Sequence, residues 1–317
     1  MKTNYFLASA NTCYGFKNCF DYINPSLDSY IYVLKGGPGT GKSTFMKTIG
    51  KHFEKKGYGV EYFYCSSDKD SLDGVRIIDK NVSIVDGTAP HTIDPTIPKV
   101  KEEIINLGED INKNIKKHKQ SIINLLDKKS NHFSLAYKYL STVGKLFDIE
   151  SALYTPQLNI DEYNKIISSL NTTKKGKRRN LFINFITDNG IEDFIKKNNF
   201  KNIINLTSNN YFDNAKLLNN LSQYLDQHNL EYTSFLSIYN SNFIQSIYIE
   251  DTSTLYLNSN TNFKNKSMIN RLIKLAGKNI MRAKYFHKKV ENYYINNMDF
   301  DHIDKTMDKL IRDIEKI

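Results

Sequence analysis

The chain has 317 residues, 40% hydrophobic and 25% charged, which are ordinary values for a globular protein with room for two domains. No apolar run approaches the roughly 20 residues of a membrane helix, and the opening Met1-Lys2-Thr3-Asn4-Tyr5-Phe6-Leu7 lacks the blocks of a signal peptide. A cytoplasmic chain with no membrane contact is therefore expected. The net charge of +10 would suit a nucleic-acid partner, but the Lys, Asn, Ile and Tyr bias is also what AT-rich codons produce. Cys13, Cys19 and Cys65 form no CxxC pair, so reduced thiols are expected in place of a disulfide framework or a zinc site.

In chain order, Tyr30–Leu34 is an apolar run ahead of glycines and predicts a buried strand. Residues 42–56 carry Phe45, Met46, Ile49 and Phe53 on one helical face, with Gly57 placed to end the helix. Val60–Cys65 and Val82–Val85 predict two more short buried strands. Strand–helix–strand alternation predicts a parallel sheet flanked by helices. From Ile97 to about Lys145 the pattern is charged and helical, with Ile104, Ile105, Ile111 and Ile115 at helical spacing, and residues 264–317 look similar.

Gly36-Gly37-Pro38-Gly39-Thr40-Gly41-Lys42-Ser43 fits the P-loop (Walker A) pattern, with a strand before it and a helix after it. Glycines let successive N–H groups turn inward around phosphates, and the helix N-terminus adds partial positive charge. The expected nucleotide-binding residues are Gly36, Gly37, Gly39, Thr40, Gly41, Lys42, Ser43 and Thr44. Lys42 should reach the β- and γ-phosphates, and Ser43 should ligate Mg²⁺. Asp86, closing Val82-Ser83-Ile84-Val85, is the expected second support of the metal. Asp68, Asp70 and Asp73 lie in a polar segment after a strand end, and Asp68 and Asp70 are the expected catalytic carboxylates beside Lys42. Arg76 and His91 are weaker candidates, for phosphate pairing and for a place in the site.

An eroded internal repeat runs through the chain. Ile31–Leu34 placed over Ile203–Leu206 stays in register without gaps through Ile84-Val85 over Tyr256-Leu257. Leu158-Asn159-Ile160-Asp161 likewise matches Met298-Asp299-Phe300-Asp301, and Tyr5-Phe6-Leu7 with Gly15 matches Leu181-Phe182-Ile183 with Gly190. The expected fold is α/β, two tandem P-loop NTPase-like units at 1–172 and 178–317. Each would carry a C-terminal helical arm, near 95–172 and 264–317. The basic run Lys174–Arg179 would join them as a solvated linker. In the second copy Lys42 is matched by Asn214, Ser43 by Ala215, Asp86 by Asn258, and Asp68 and Asp70 by Asn240 and Asn242. That copy is expected to bind no nucleotide and to serve as a regulatory or interaction surface, with Arg271 or Arg282 reaching the γ-phosphate as an in-chain finger.

The segments Leu34–Thr44, Cys65–Asp68 with Ser71–Gly74, and Asp86–His91 resemble a family of bacterial P-loop ATPases found largely in spore-forming, low-GC species. That resemblance implies two tandem P-loop modules, ATP binding and hydrolysis, and no particular substrate. Relatives often keep a P-loop in the second module, and this sequence departs from them there. The loop also resembles AAA-type ATPases, whose strand Asp is followed by a Glu that activates water, but here Gly87 follows Asp86. The expected function is an ATPase using ATP or GTP with Mg²⁺. A nucleotide or small-molecule kinase, a nucleotide-sensing interaction protein and a nucleic-acid-associated ATPase stand as alternatives.

Overall fold

The computed structural model describes residues 3–26, 28–90 and 92–317, so His91 lies outside the described residues. The first half of the chain runs β1 (Thr3–Phe6), β2 (Ser9–Thr12), β3 (Gly15–Asn18), β4 (Tyr30–Lys35), α1 (Lys42–Lys55), β5 (Val60–Cys65), β6 (Asp68–Ile77), β7 (Val82–Asp86) and β8 (Glu102–Asn106). Helices α2 (Lys119–Ala152) and α3 (Ile160–Ser169) follow. The second half runs β9 (Arg178–Leu181), β10 (Asn184–Thr187), β11 (Gly190–Asp193), β12 (Asn202–Asn205), α4 (Tyr211–Gln227), β13 (Tyr232–Leu236), β14 (Ile244–Ile249), β15 (Thr254–Leu257), α5 (Lys266–Ile295) and α6 (Phe300–Lys316). No helix among the described residues is long and apolar enough to cross a membrane.

The chain is mixed α/β and divides into two compact units. The first comprises Met1–Ala8, Asn18–Ala136 and Lys278–Ile317; the second comprises Ser9–Lys17 and Tyr137–Gly277. This division differs from a cut near 172–178, because each unit takes its last helix from the other repeat.

In the first unit the sheet order is β1-β5-β6-β7-β4-β8. Strands β1, β5, β7, β4 and β8 run parallel where they pair, but β6 is antiparallel to both β5 and β7. A purely parallel sheet is thus corrected to a mixed one. Only Ser66 and Ser67 separate β5 from β6, and so short a link forces a hairpin. The stretch after Ile97 is also corrected, since Glu102–Asn106 pairs with β4 as an edge strand and the long helix starts only at Lys119. Phe45, Met46, Ile49 and Phe53 of α1 bury against the sheet, and Ile303, Leu310 and Ile314 of α6 complete the same core. Helix α6 begins where the Asp299 side chain accepts the His302 N–H, a standard N-cap.

In the second unit the sheet order is β12-β15-β14-β13-β9, again with the β14 strand antiparallel. Leu217, Leu218, Leu221 and Leu225 of α4 pack on it, and Ile166 of α3 covers them as α6 covers α1. Asn159 caps α3 as Asp299 caps α6. Two details depart from the sequence expectation. Ile203 and Ile204 are exposed, because this sheet has no counterpart of β8 and β12 is left at the edge. Leu181 pairs with Phe235 as Phe6 pairs with Phe63, so the strand match falls on Phe6 and not on Tyr5. The basic run is not a free linker: Lys174 pairs with Glu231 at 3.0 Å, Arg178 donates to Asn180 and Ser234, and Arg179 is buried in β9.

Candidate functional site

Strand β4 lies between β7 and β8, one place in from the sheet edge, and open α/β sheets place ligands outside the C-terminal ends of such strands. The chain leaves it through Gly36–Gly41 and enters α1 at Lys42. Gly39 and Gly41 hold φ of +73° and +84°, a left-handed backbone that side chains disfavour. Thr40 is buried, and its hydroxyl donates to the Gly37 carbonyl at 2.9 Å, bracing the loop from within. Among α1's first N–H groups, which have no partner in their own helix, are those of Ser43 and Thr44.

Lys42 Nζ donates to the carbonyls of Gly36 at 3.0 Å and Gly37 at 2.8 Å. It also lies 3.7 Å from Asp86 Oδ2. Leu34 pairs with Asp86 in the parallel β4–β7 ladder, and that register sets the acid beside the loop. Burial lowers the Lys42 pKa, and Asp86, Glu291 and Asp73 oppose the shift. Asp86 Oδ1 accepts the Thr88 N–H at 2.9 Å and its hydroxyl at 2.5 Å, which aims the second oxygen at Lys42. Ser43 Oγ accepts the Leu72 N–H at 2.9 Å.

The remaining candidates fall as follows. Asp68 Oδ1 receives Lys284 Nζ at 2.7 Å. Asp70 is 77% exposed, and Asp73 is buried. Arg76 pairs with the buried Glu61 across β5–β6, so its guanidinium is spent on the sheet. Thr44 is exposed at the start of α1. Arg282 is exposed on α5, while Arg271 belongs to the other unit. Cations brought to this site from the helical arms include Lys129 of α2 and Lys284 and Lys288 of α5.

The last turns of α5 lie directly on the loop. A β-carbon at Gly39 would sit 2.6 Å from the Glu291 carbonyl oxygen, and one at Gly37 would sit 2.7 Å from the Tyr294 ring. Lys129 Nζ meets His287 Nδ1 at 3.1 Å, and His287 Nε2 lies 3.6 Å from Glu291 Oε1. Burial pushes the His287 pKa down to about 4, with Lys129 and Lys42 adding to it. Burial raises the Glu291 pKa, helped by Asp68 and opposed by Lys288, Lys42 and Lys129. Sequence reasoning passed over these arm residues. The available signal was Lys284, His287 and Glu291 at i, i+3 and i+7, one face of a helix.

In the second unit the corresponding loop is closed. Helix α4 starts at Tyr211, ahead of Asn214, and the Asn210 side chain caps it. Fully buried Tyr211 stands where the first loop has Gly39, and Phe147, Phe212, Tyr239 and Phe263 surround it.

Over residues 16–137 the chain is similar to the family described as Nephrocystin 3, N-terminal. That span runs from β3 through the loop and Asp86 into α2. No curated protein matches the chain, and no solved structure matches it.

Proposed function

We propose that this chain binds a nucleoside triphosphate, ATP or GTP, with Mg²⁺ at Gly36–Thr44 and hydrolyses it. The second unit is then a P-loop-like repeat that binds no nucleotide and acts as a regulatory or interaction surface. The observation that carries the reading is the position of Lys42. Its ammonium spans the loop carbonyls of Gly36 and Gly37 and faces Asp86 across the parallel strand pair. An ammonium has three N–H donors. Two brace the loop and the third is directed at Asp86, so an incoming phosphate oxygen would exchange for one of these partners.

Main-chain N–H groups of the loop and of the first turn of α1 would hold the phosphate oxygens. The donors beside them, the Ser43 hydroxyl and the Asp86 carboxylate, are hard oxygens, which suits Mg²⁺. Mg²⁺ in such a site takes few protein ligands and leans on substrate phosphates and water. Ser43 and Asp86 would hold it, and it would offset negative charge on the phosphates. Lys42 stabilises charge that grows on the leaving oxygens, the largest contribution available to phosphoryl transfer.

The test is calorimetric titration of Mg·ATP and Mg·GTP into the full chain and into Lys42→Ala. Wild type is expected to bind one of them, and the variant is expected to lose that binding. Equal affinity in the two proteins would refute the assignment.

A further inference from the structure

Hydrolysis at this loop needs a group to take the proton of the attacking water, and β7 has no place for one. The residue after Asp86 is Gly87, and a β-carbon there would collide with Cγ1 of Val33. Its N–H is also held by the Leu34 carbonyl at 2.9 Å, so this backbone does not swing away. We propose that Glu291, delivered by α5, is the general base of the reaction, and that His287 and Lys129 position it. This rests on the nucleotide reading above.

Placement comes first. The Glu291 backbone lies against Gly39 with no layer between, and its carboxyl Oε1 lies 3.6 Å from His287 Nε2 on the same arm. The carboxyl is close enough to Lys42 for each to shift the other's proton affinity. Of the other acids, Asp68 is taken by Lys284, Asp70 points to solvent, and Asp73 is buried beside Lys42.

The wiring comes second. An ammonium only donates, so Lys129 assigns the lone pair of His287 to Nδ1 and the proton to Nε2. That Nε2–H faces Glu291 Oε1. The imidazole is held neutral, and its one proton orients the carboxylate. A carboxyl whose pKa is raised toward neutrality is a better base near pH 7.

The repeat supplies an independent control. The register that sets Leu158 on Met298 also sets Ala136, Leu140 and Val143 of α2 on Ala276, Ile280 and Ala283 of α5, all buried. In that register Tyr154 meets Tyr294, and Tyr154 donates to Asp213 of the closed loop. The framework is thus kept, but Glu291 faces Ser151, His287 faces Phe147 and Lys284 faces Gly144. The arm chemistry and the loop chemistry are therefore absent from the second unit together, as one site would be.

In the step, water oxygen bonds to the γ-phosphorus as the bond from that phosphorus to the β–γ bridging oxygen breaks. The water proton passes to Glu291 and then to solvent. The nucleoside diphosphate leaves with the bonding electron pair.

The experiment compares full-length wild type, Glu291→Gln, His287→Asn and Lys42→Ala. It reads Mg·ATP affinity by calorimetry, phosphate release in a single turnover, and the pH profile of that release. Glu291→Gln is expected to bind within about threefold of wild type and to release phosphate roughly 10²–10⁴ times more slowly. The wild-type rate should fall on acidification as Glu291 takes up a proton, in the field of Asp68, Lys42, Lys129, Lys288 and His287, and Glu291→Gln should lack that limb. His287→Asn should move the limb with affinity unchanged. A wild-type rate in Glu291→Gln overturns the proposal, as does a wild type that binds and never hydrolyses. Undiminished binding by Lys42→Ala would instead overturn the nucleotide reading. If Glu291→Gln unfolds, Glu291→Asp decides: it should bind normally and turn over at least about tenfold more slowly, and an unchanged rate overturns the assignment.

Discussion

Asn214 donates to Asn258 at 3.2 Å in the core of the second unit, at the positions that Lys42 and Asp86 occupy in the first. Asn214 also donates to the Ser208 carbonyl, as Lys42 donates to Gly36. A charged pair facing a loop has become a neutral amide pair inside one. The hydrogen-bond geometry persists, and the charge does not.

Restoring that charge is expected to harm the second unit. Asn214→Lys would bury an ammonium beside Asn258 and Ser208, facing an amide where Lys42 faces the Asp86 carboxylate. A buried uncompensated charge costs about 3–5 kcal/mol, and urea unfolding should show a loss of that order. Adding Asn258→Asp should recover part of the stability without creating nucleotide binding, because a buried Tyr211 still stands where the first loop has Gly39. Calorimetry of the double variant checks the second statement.

On the proposed nucleotide reading, the metal contact of Asp86 should be separable from the phosphate contact of Lys42. Asp86→Asn keeps the size of the side chain and its bonds to Thr88 but removes the charge. The Mg²⁺-dependent part of ATP affinity should drop by at least about tenfold, equivalent to ~1.4 kcal/mol. Affinity in excess EDTA should be no weaker than wild type's. A variant that keeps its full Mg²⁺ dependence would remove Asp86 from the site.

A chain ending at residue 172 should not fold the first unit. It would lack α6, whose Ile303, Leu310 and Ile314 fill the core above α1. Burying three such side chains contributes roughly 1.5–3 kcal/mol each, comparable with the whole stability of a domain at ~5–15 kcal/mol. Circular dichroism and urea titration of this fragment should show no cooperative transition. In the full chain, Ile314→Ala should cost about 2–5 kcal/mol.

Acid should weaken the first unit partly through His287. Its pKa falls from an ordinary 6.5 to about 4 on folding, so the unfolded chain takes the proton first. The stabilisation is complete above pH 6.5 and drains away as the pH falls toward 4. Glu291, raised by burial, works in the opposite direction over its own range. The melting temperature of His287→Asn should therefore fall less than wild type's between pH 6.5 and 4, and equal slopes would contradict the burial of this imidazole.

Much of the local structure was legible because it follows from short-range rules. The strand before the loop, the helix at Lys42, the strands at 60 and 82 and the gapless repeat all rest on spacing that burial imposes. The polar segment that carries Asp68, Asp70 and Asp73 falls within β6, because residues that suit turns also pair when a two-residue link folds them back on β5. The edge position of β12 was illegible, since its sequence resembles β4 and only the missing neighbour exposes it.

By itself, then, the sequence determined the glycine-rich loop, its lysine, the acid that ends the neighbouring strand and the different residues at the matching positions of the second copy, since these depend on residue type at fixed spacing. Only the tertiary structure decided which arm serves which unit. Whether α6 covers α1 or α4 depends on how the chain crosses over, and both helices carry the same apolar face. That exchange is what sets Glu291, His287 and Lys129 around Gly39, far from it in the chain and joined to it by packing alone.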